Sequence, residues 1–410
     1  MSGIVVIGAG QAGASLAAKA RLLGFPGPIT LIGEEPVEPY QRPPLSKGYL
    51  LGEIGLERLS LRASSFWKDY DINLVLGQSA TAIDRATKSV RAGGRTFQYE
   101  HLAIATGSIA KRLPVAMGGS LKGVYTIRNV ADVEAMAVEF LPARRLLIVG
   151  GGYIGLEAAA VGAKLGLNVT LVEIAPRILQ RVAASETSDF FRALHSANGV
   201  LIKEGTGLDR LLGEDRVSGA LLSDGTELPV DFVIVGIGVT PRTRLAEEAG
   251  LAIDDGIRTD SAGRTSDPSI WAAGECASFP YEGRHIRLES VGHAIDHGEL
   301  VAKNILGASQ AYEARPWFWS DQYDVKLQIA GLNVGYDRVV ERAGGQGSLS
   351  IWYYRGEQLL AVDAINDGRA YMIGKRILES RQTIPPQYVV DGSKDVKSLL
   401  AHAVNLAEAA

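Results

Sequence analysis

Two glycine triplets, each followed at a distance by an acid, carry the most specific chemistry in this 410-residue chain. Gly8, Gly10 and Gly13 stand in IVVIGAGQAGAS, and Gly150, Gly152 and Gly155 stand in RLLIVGGGYIGLEAA. In such a turn the first glycine permits a tight bend, the second lets backbone approach a pyrophosphate, and the third lets a helix close on a strand. The helix N-terminus that follows attracts phosphate charge. Downstream, ITLIGE closes on Glu34 and NVTLVE closes on Glu173. A carboxylate there accepts hydrogen bonds from ribose hydroxyls and repels a 2′-phosphate. Both sites therefore suit a dinucleotide with an unphosphorylated ribose, although Arg177 and Arg181, close after Glu173, leave a weak activity with the phosphorylated form open.

The elements that must position these residues are legible from hydrophobic pattern. Apolar runs from Ile4 to Ile7 and from Leu146 to Val149 predict buried parallel strands, each leading through its glycine turn into an alanine-rich helix. The length suggests two or three domains. Hydrophobic content of 46%, charged content of 21% and a net charge of -4 describe a globular protein and argue against a nucleic-acid binder, since no overall basic field exists. No apolar run reaches the roughly 18 residues of a membrane helix, and the first strand begins too early for a signal peptide. A cytoplasmic enzyme is expected.

With both units complete, the sequence resembles the two-dinucleotide-binding-domain flavoproteins, which hold FAD in the first site and NAD(P)H in the second. LAIATGS, with Thr106 and Gly107, is similar to a second flavin-contacting segment of that family. TSDPSIWAAGECA resembles its late FAD motif, delivering Gly274 and an acid to the ribitol and pyrophosphate. The acid is Glu275, where the family usually has Asp, which keeps the charge and extends it by one methylene. The fold implied is α/β: two Rossmann-like domains and a C-terminal α+β domain in a glutathione-reductase-like architecture.

The segment EPVEPYQRPPLSKGYL narrows the resemblance to the NADH-dependent ferredoxin reductases that serve oxygenases. Its two prolines steer the chain into a fixed bend before Leu45 and Ser46. The resemblance implies that Arg42 meets the pyrophosphate and that Lys47 lies near the isoalloxazine, paired with Glu157 of GGYIGLEAA on the first turn of the second helix. Lys47 and Glu157 are thus the expected catalytic pair. A cation near the flavin N5 and pyrimidine edge favours the reduced, anionic ring. The same resemblance implies FAD contacts at Ala80, Arg128, Val291 and Trp319, and NADH contacts at Ile154 and Gly236 beside Gly150, Gly152, Gly155 and Glu173. Trp319 would shield the ring or fill an interdomain core.

Cysteine usage separates relatives. Disulfide reduction needs a pair of thiols beside the flavin, whereas this chain has one cysteine, Cys276. A small buried residue after Glu275 is the reading favoured for it over a redox-active thiol. His293 and His297 lie four apart on a helical stretch, but no further ligand supports a metal, and none is assigned.

The expected organisation is an FAD domain at residues 1–111 and 240–318, an inserted NADH domain at 112–239, and a C-terminal domain at 319–410. In the last, VKLQIAGL, SLSIWYYR and QLLAVDAI read as strands, and ESRQTI and KDVKSLLAHAV as helical. The function implied by the resemblance is NADH:ferredoxin oxidoreductase, passing electrons in pairs from NADH to FAD and singly to a 2Fe-2S ferredoxin that supplies a cytochrome-type monooxygenase or a ring-hydroxylating dioxygenase. Lys326, Arg338, Arg342, Lys375, Arg376 and Lys397 are candidate cations for the acidic partner. Rubredoxin or dioxygen as acceptor, and a redox-sensing role resembling apoptosis-inducing factor, are the alternatives.

Overall fold

The computed structural model describes residues 3–345, 347–390 and 395–405. The chain divides into two compact units: Met1–Arg42 with Ile54–Ile109 and Val239–Pro316, and Pro43–Glu53 with Ala110–Gly238 and Trp317–Ala410.

The first unit is built on a parallel sheet in which Ile72–Val75, Ile29–Ile32, Gly3–Ile7, Arg95–Ile104 and Ile270–Ala272 lie side by side. Strands buried on both faces need continuous apolar runs, and GIVVI is buried at every position. The early part of Arg95–Ile104 also pairs antiparallel with Ser89–Ala92, which continues to Ala80–Asp84. The helix Gln11–Leu22 follows the first strand and buries Ala12, Ala14, Leu16, Ala17, Ala18 and Ala20. Its small side chains allow the late helix Val291–Ile305 to pack against it, and a Cβ on Gly298 would lie 2.5 Å from the Ala12 carbonyl oxygen.

The second unit repeats the plan with Leu201–Glu204, Asn168–Glu173, Arg145–Val149, Phe232–Val235 and Val124–Tyr125 in one parallel sheet. The helix Tyr153–Lys164 follows Arg145–Val149 as Gln11–Leu22 follows Gly3–Ile7. The same unit holds a five-stranded antiparallel sheet, ordered Trp317–Gln322, Val325–Gly331, Gln358–Ile365, Leu349–Arg355 and Arg338–Ala343, with the helix Gly368–Glu379 packed on it. The fold is therefore α/β, with two Rossmann-like sheets and a C-terminal α+β element.

The three strands expected near the C-terminus form. The helical expectation for ESRQTI fails: Glu379 ends the preceding helix, Arg381 turns with φ 53°, and Gln382–Thr383 is a strand. A left-handed residue cannot continue a right-handed helix. In the other stretch, Lys394 lies outside the described residues, and Val396–His402 forms a 3-10 helix. Among the described residues no helix is long and apolar enough to cross a membrane.

Candidate functional site

The two glycine turns have the same geometry. Gly8 has φ 111° and Gly150 has φ 109°, the conformation that favours glycine. A Cβ on Gly8 would fall 2.2 Å from the Ala105 carbonyl oxygen, and one on Gly150 would fall 2.5 Å from that of Gly236. Gly13 and Gly155 close helix onto turn, since their Cβ atoms would lie 1.9 and 2.1 Å from the carbonyl oxygens of Gly8 and Gly150. Between them, a Cβ on Gly10 or Gly152 would meet nothing within 4 Å. Each is the N-cap of a helix whose first turn has no side-chain cap. Helix-start N–H groups without a side-chain cap, beside a glycine whose Cβ position is open, form a cradle for a pyrophosphate, so the residues present fit a dinucleotide in each unit.

In the first unit, Gly274 (φ 77°) brings the Gly274–Cys276 turn against the helix start, where its Cβ would lie 2.7 Å from that of Ala12. Glu275 sits within this turn. Gly107 has φ 65°, and the Thr106 hydroxyl donates to the Arg242 carbonyl at 2.8 Å. Val291 opens its helix and Ala80 opens its strand. Glu34 departs from expectation: the strand stops at Ile32, and the half-exposed carboxylate pairs with Arg242. Arg42 is held by Glu35, which the sequence reading passed over. Its Nη2 lies 2.5 Å from Glu35 Oε1, and its guanidinium carbon is 5.2 Å from the Tyr40 ring centroid. Burial works against the guanidinium charge, but Tyr40 and Glu35 outweigh it and hold Arg42 above its ordinary value.

In the second unit, Glu173 ends its strand as the pattern predicts. Its Oε2 accepts from the Gly151 N–H at 2.6 Å and its Oε1 from the Ala175 N–H at 2.8 Å. These donors aim the carboxylate at the glycine turn while leaving lone pairs for hydroxyls. Arg177 donates to Ser188 Oγ at 2.6 Å and to the Ala184 carbonyl. Ile154, exposed, follows the turn, and Gly236 follows the strand Phe232–Val235.

Lys47 and Glu157 meet in this unit, with Nζ 2.7 Å from Oε2. Pro43–Ser46 forms a single 3-10 turn, which places Lys47 beside the helix Tyr153–Lys164. Glu157 is the fifth residue of that helix rather than part of its first turn, and it is buried. A dipole-complementing role at an exposed terminus is thereby excluded. Ser46 Oγ and Ser320 Oγ also donate to its carboxylate, at 2.5 and 2.6 Å. Ser46 adjoins Lys47 in sequence, whereas nothing local marks Ser320 as part of the site. Trp319, beside Ser320, stacks on Trp317 with centroids 5.4 Å apart. Arg128 is half-buried, and its N–H donates to Asp132 Oδ2 at 3.0 Å.

Other residues depart from or refine the sequence reading. Cys276 is buried, and burial pushes its thiol up, away from the reactive thiolate. Arg342 is not a surface cation: it is buried and donates to the Val389 carbonyl at 2.9 Å. Arg338 pairs with Glu357, whereas Lys326, Arg376 and Lys397 are exposed. His293 and His297 pack in a buried cluster with Phe279 and Tyr312.

Residues 2–298 match the family model described as pyridine nucleotide-disulphide oxidoreductase, and residues 317–400 match a reductase C-terminal model. A ferredoxin–NAD(P)(+) reductase of Sphingomonas sp is 43% identical over 93% of this chain and 94% of its own length. Putidaredoxin reductase of Pseudomonas putida is 39% identical over 98% of this chain and 97% of its own. The solved structure of a covalent putidaredoxin reductase–putidaredoxin complex superposes with a TM-score of 0.94 at 38% identity, covering 98% of both chains.

Proposed function

Because the chain belongs to the pyridine nucleotide-disulphide oxidoreductase family and carries a reductase C-terminal domain, we propose that it is an FAD-dependent NADH:ferredoxin oxidoreductase. One observation carries the reading: a single chain holds two cradles of the same shape, each with an open glycine, Gly10 or Gly152, at an uncapped helix N-terminus. The similarity to ferredoxin-coupled reductases along nearly the whole chain supports the acceptor.

The chemistry that a bound FAD would supply is the exchange of an electron pair from NADH for single electrons to a 2Fe-2S protein. The residues of this chain bind and orient. Gly10 and the following helix N-terminus hold the FAD pyrophosphate, joined by Arg42, with Glu34 toward the ribose hydroxyls in exchange for Arg242. Thr106, Gly107, Gly274, Glu275, Ala80, Val291, Arg128 and Trp319 complete the flavin surroundings. Gly150, Gly152, Ile154, Gly155 and Gly236 accept NADH, and Glu173 holds its ribose and disfavours a 2′-phosphate. Lys47, held by Glu157, supplies positive charge at the flavin edge. No general acid or base is needed. The buried Cys276, as the one cysteine, leaves no disulfide route. We assign residues 1–111 and 240–318 to the FAD domain, 112–239 to the NADH domain and 319–410 to the C-terminal domain. The partner is a small 2Fe-2S ferredoxin feeding a terminal oxygenase.

Turnover of NADH with a 2Fe-2S ferredoxin, with a rubredoxin and with dioxygen tests the acceptor. The ferredoxin is expected to be fastest. Faster turnover with either rival reassigns the acceptor, and slow turnover with all three removes the reductase reading.

A further inference from the structure

Behind the Lys47–Glu157 pair runs an unbroken chain of buried polar side chains. Ser320 Oγ donates to Glu157 Oε1 at 2.6 Å, and Gln322 Nε2 donates to Ser320 Oγ at 3.1 Å. Gln322 Oε1 lies 2.8 Å from His195 Nε2, and His195 Nδ1 lies 3.2 Å from the Tyr323 hydroxyl. Ser320, Gln322 and His195 are at most 1% exposed, and Glu157 is 3% exposed. These residues come from three places: the helix Tyr153–Lys164, the last turn of the helix Ser185–Ala197, and the strand Trp317–Gln322 with the turn that follows it.

The direction of each bond follows from the group at one end. A carboxylate only accepts, so Ser320 must donate to it. Ser320 then accepts from the Gln322 amide nitrogen, which turns the amide oxygen to His195 and requires a proton on Nε2. A neutral imidazole protonated at Nε2 accepts at Nδ1, where the Tyr323 hydroxyl stands. Burial also drives His195 down from its ordinary value, toward the neutral ring the pattern needs. Every donor thus points toward Glu157. Buried polar groups are costly unless all are satisfied, and a satisfied network specifies one arrangement. Tyr323 opens the two-residue hairpin turn between Gln322 and Val325, where its φ of 57° is what such a turn requires, and its ring stands edge-on to His195 with centroids 5.1 Å apart.

We propose that Ser320, Gln322 and His195 are positioning residues that lock the Glu157 carboxylate in one orientation and, through it, fix Lys47. Its consequence for electron transfer rests on the flavoprotein reading above. The amide of Gln322 transmits orientation and carries no proton, because it has no titratable group. Removing the Ser320 hydroxyl frees one carboxylate oxygen inside a buried site and lets Glu157 and Lys47 adopt other rotamers.

The test uses the full chain loaded with FAD and two readouts. One is anaerobic reduction by NADH, resolved into a limiting rate and an NADH dissociation constant. The other is the 15N spectrum of the His195 ring, assigned by its loss in His195→Phe. The proposal expects a neutral Nε2–H tautomer in the wild type, with the Nε2 resonance shifted in Gln322→Leu as that N–H loses its acceptor. Ser320→Ala is expected to slow the limiting rate about tenfold, the order set by one hydrogen bond to a charged group, and Gln322→Leu to slow it less, since its bond is to a neutral hydroxyl, with the dissociation constant unchanged in both. Ser320→Thr, which keeps the hydroxyl, recovers most of that rate. A wild-type Nδ1–H tautomer, an unchanged rate in Ser320→Ala, or equal losses in Ser320→Ala and Ser320→Thr would overturn it. If NADH does not reduce the wild type, the functional reading fails instead, and the His195 spectrum alone decides: the Nε2–H form with its Nε2 resonance shifted in Gln322→Leu supports the chain, and an Nδ1–H form or an unshifted resonance overturns it.

Discussion

Lys47 Nζ and Glu157 Oε2 stand 2.7 Å apart, but the two partners are unequally buried: 19% of the lysine side chain is exposed against 4% of the glutamate. The asymmetry predicts unequal consequences of breaking the pair. Lys47→Ala leaves a buried carboxylate with hydroxyl donors and no counter-charge, whereas Glu157→Gln leaves an ammonium that can reach water. Thermal unfolding should show a loss of about 2 to 4 kcal/mol for Lys47→Ala and about 1 kcal/mol for Glu157→Gln. Equal losses would contradict this account of the pair. Lys47→Ala should also slow flavin reduction by NADH; a normal rate would leave the lysine only a structural role.

The three glycines of the first turn should fail in different ways. At Gly10 a methyl group meets open space and the backbone has φ -84°, so Gly10→Ala should fold with its melting temperature little changed yet lose FAD affinity. At Gly13 a Cβ would lie 1.9 Å from the Gly8 carbonyl oxygen, so Gly13→Ala should lower the melting temperature of the apoprotein itself. Full FAD binding by Gly10→Ala would remove the pyrophosphate cradle from that turn.

Glu173→Ala deletes the acceptor aimed at the second glycine turn. The Michaelis constant for NADH is expected to rise about tenfold or more, and the preference for NADH over NADPH to shrink. Steady-state kinetics with both coenzymes check this, and unchanged constants would take Glu173 out of the nucleotide site.

Asp363 gives a pH signature. Burial pushes its carboxyl up to about 6, although Tyr353 and Thr187 donate to Oδ2 at 2.5 and 2.8 Å; Oδ1 has no partner. A folded-state value above the unfolded one favours the protonated form in the folded protein. Its contribution is full below about pH 4 and is lost as pH rises through about 6. Asp363→Asn should therefore gain melting temperature relative to wild type as pH goes from 4 to 7. A difference independent of pH would contradict the raised value.

How far the site could be read from sequence depended on how local its parts are. The glycine turns and Glu173 lie within single strand–turn–helix–strand stretches, so spacing located them. The Lys47–Glu157 pair spans two segments, and family resemblance joined them. Ser320, Gln322 and His195 escaped because an antiparallel hairpin and a distant helix bring them to Glu157, and no motif encodes that meeting. Glu34 was only partly legible: the strand ends two residues before it, and the partner of its carboxylate, Arg242, lies far along the chain where no spacing points. Arg342 misled because alternation along Arg338–Ala343 turns its side chain inward, where a backbone carbonyl receives it.

The most direct test of the account is an anaerobic double-mixing experiment that follows the flavin absorbance band. NADH is added first and a 2Fe-2S ferredoxin second. The account predicts rapid bleaching by NADH, slower bleaching by NADPH, and rapid recovery of the band on adding oxidised ferredoxin. A chain that carries no flavin band, or a reduced flavin that the ferredoxin leaves bleached, would contradict it.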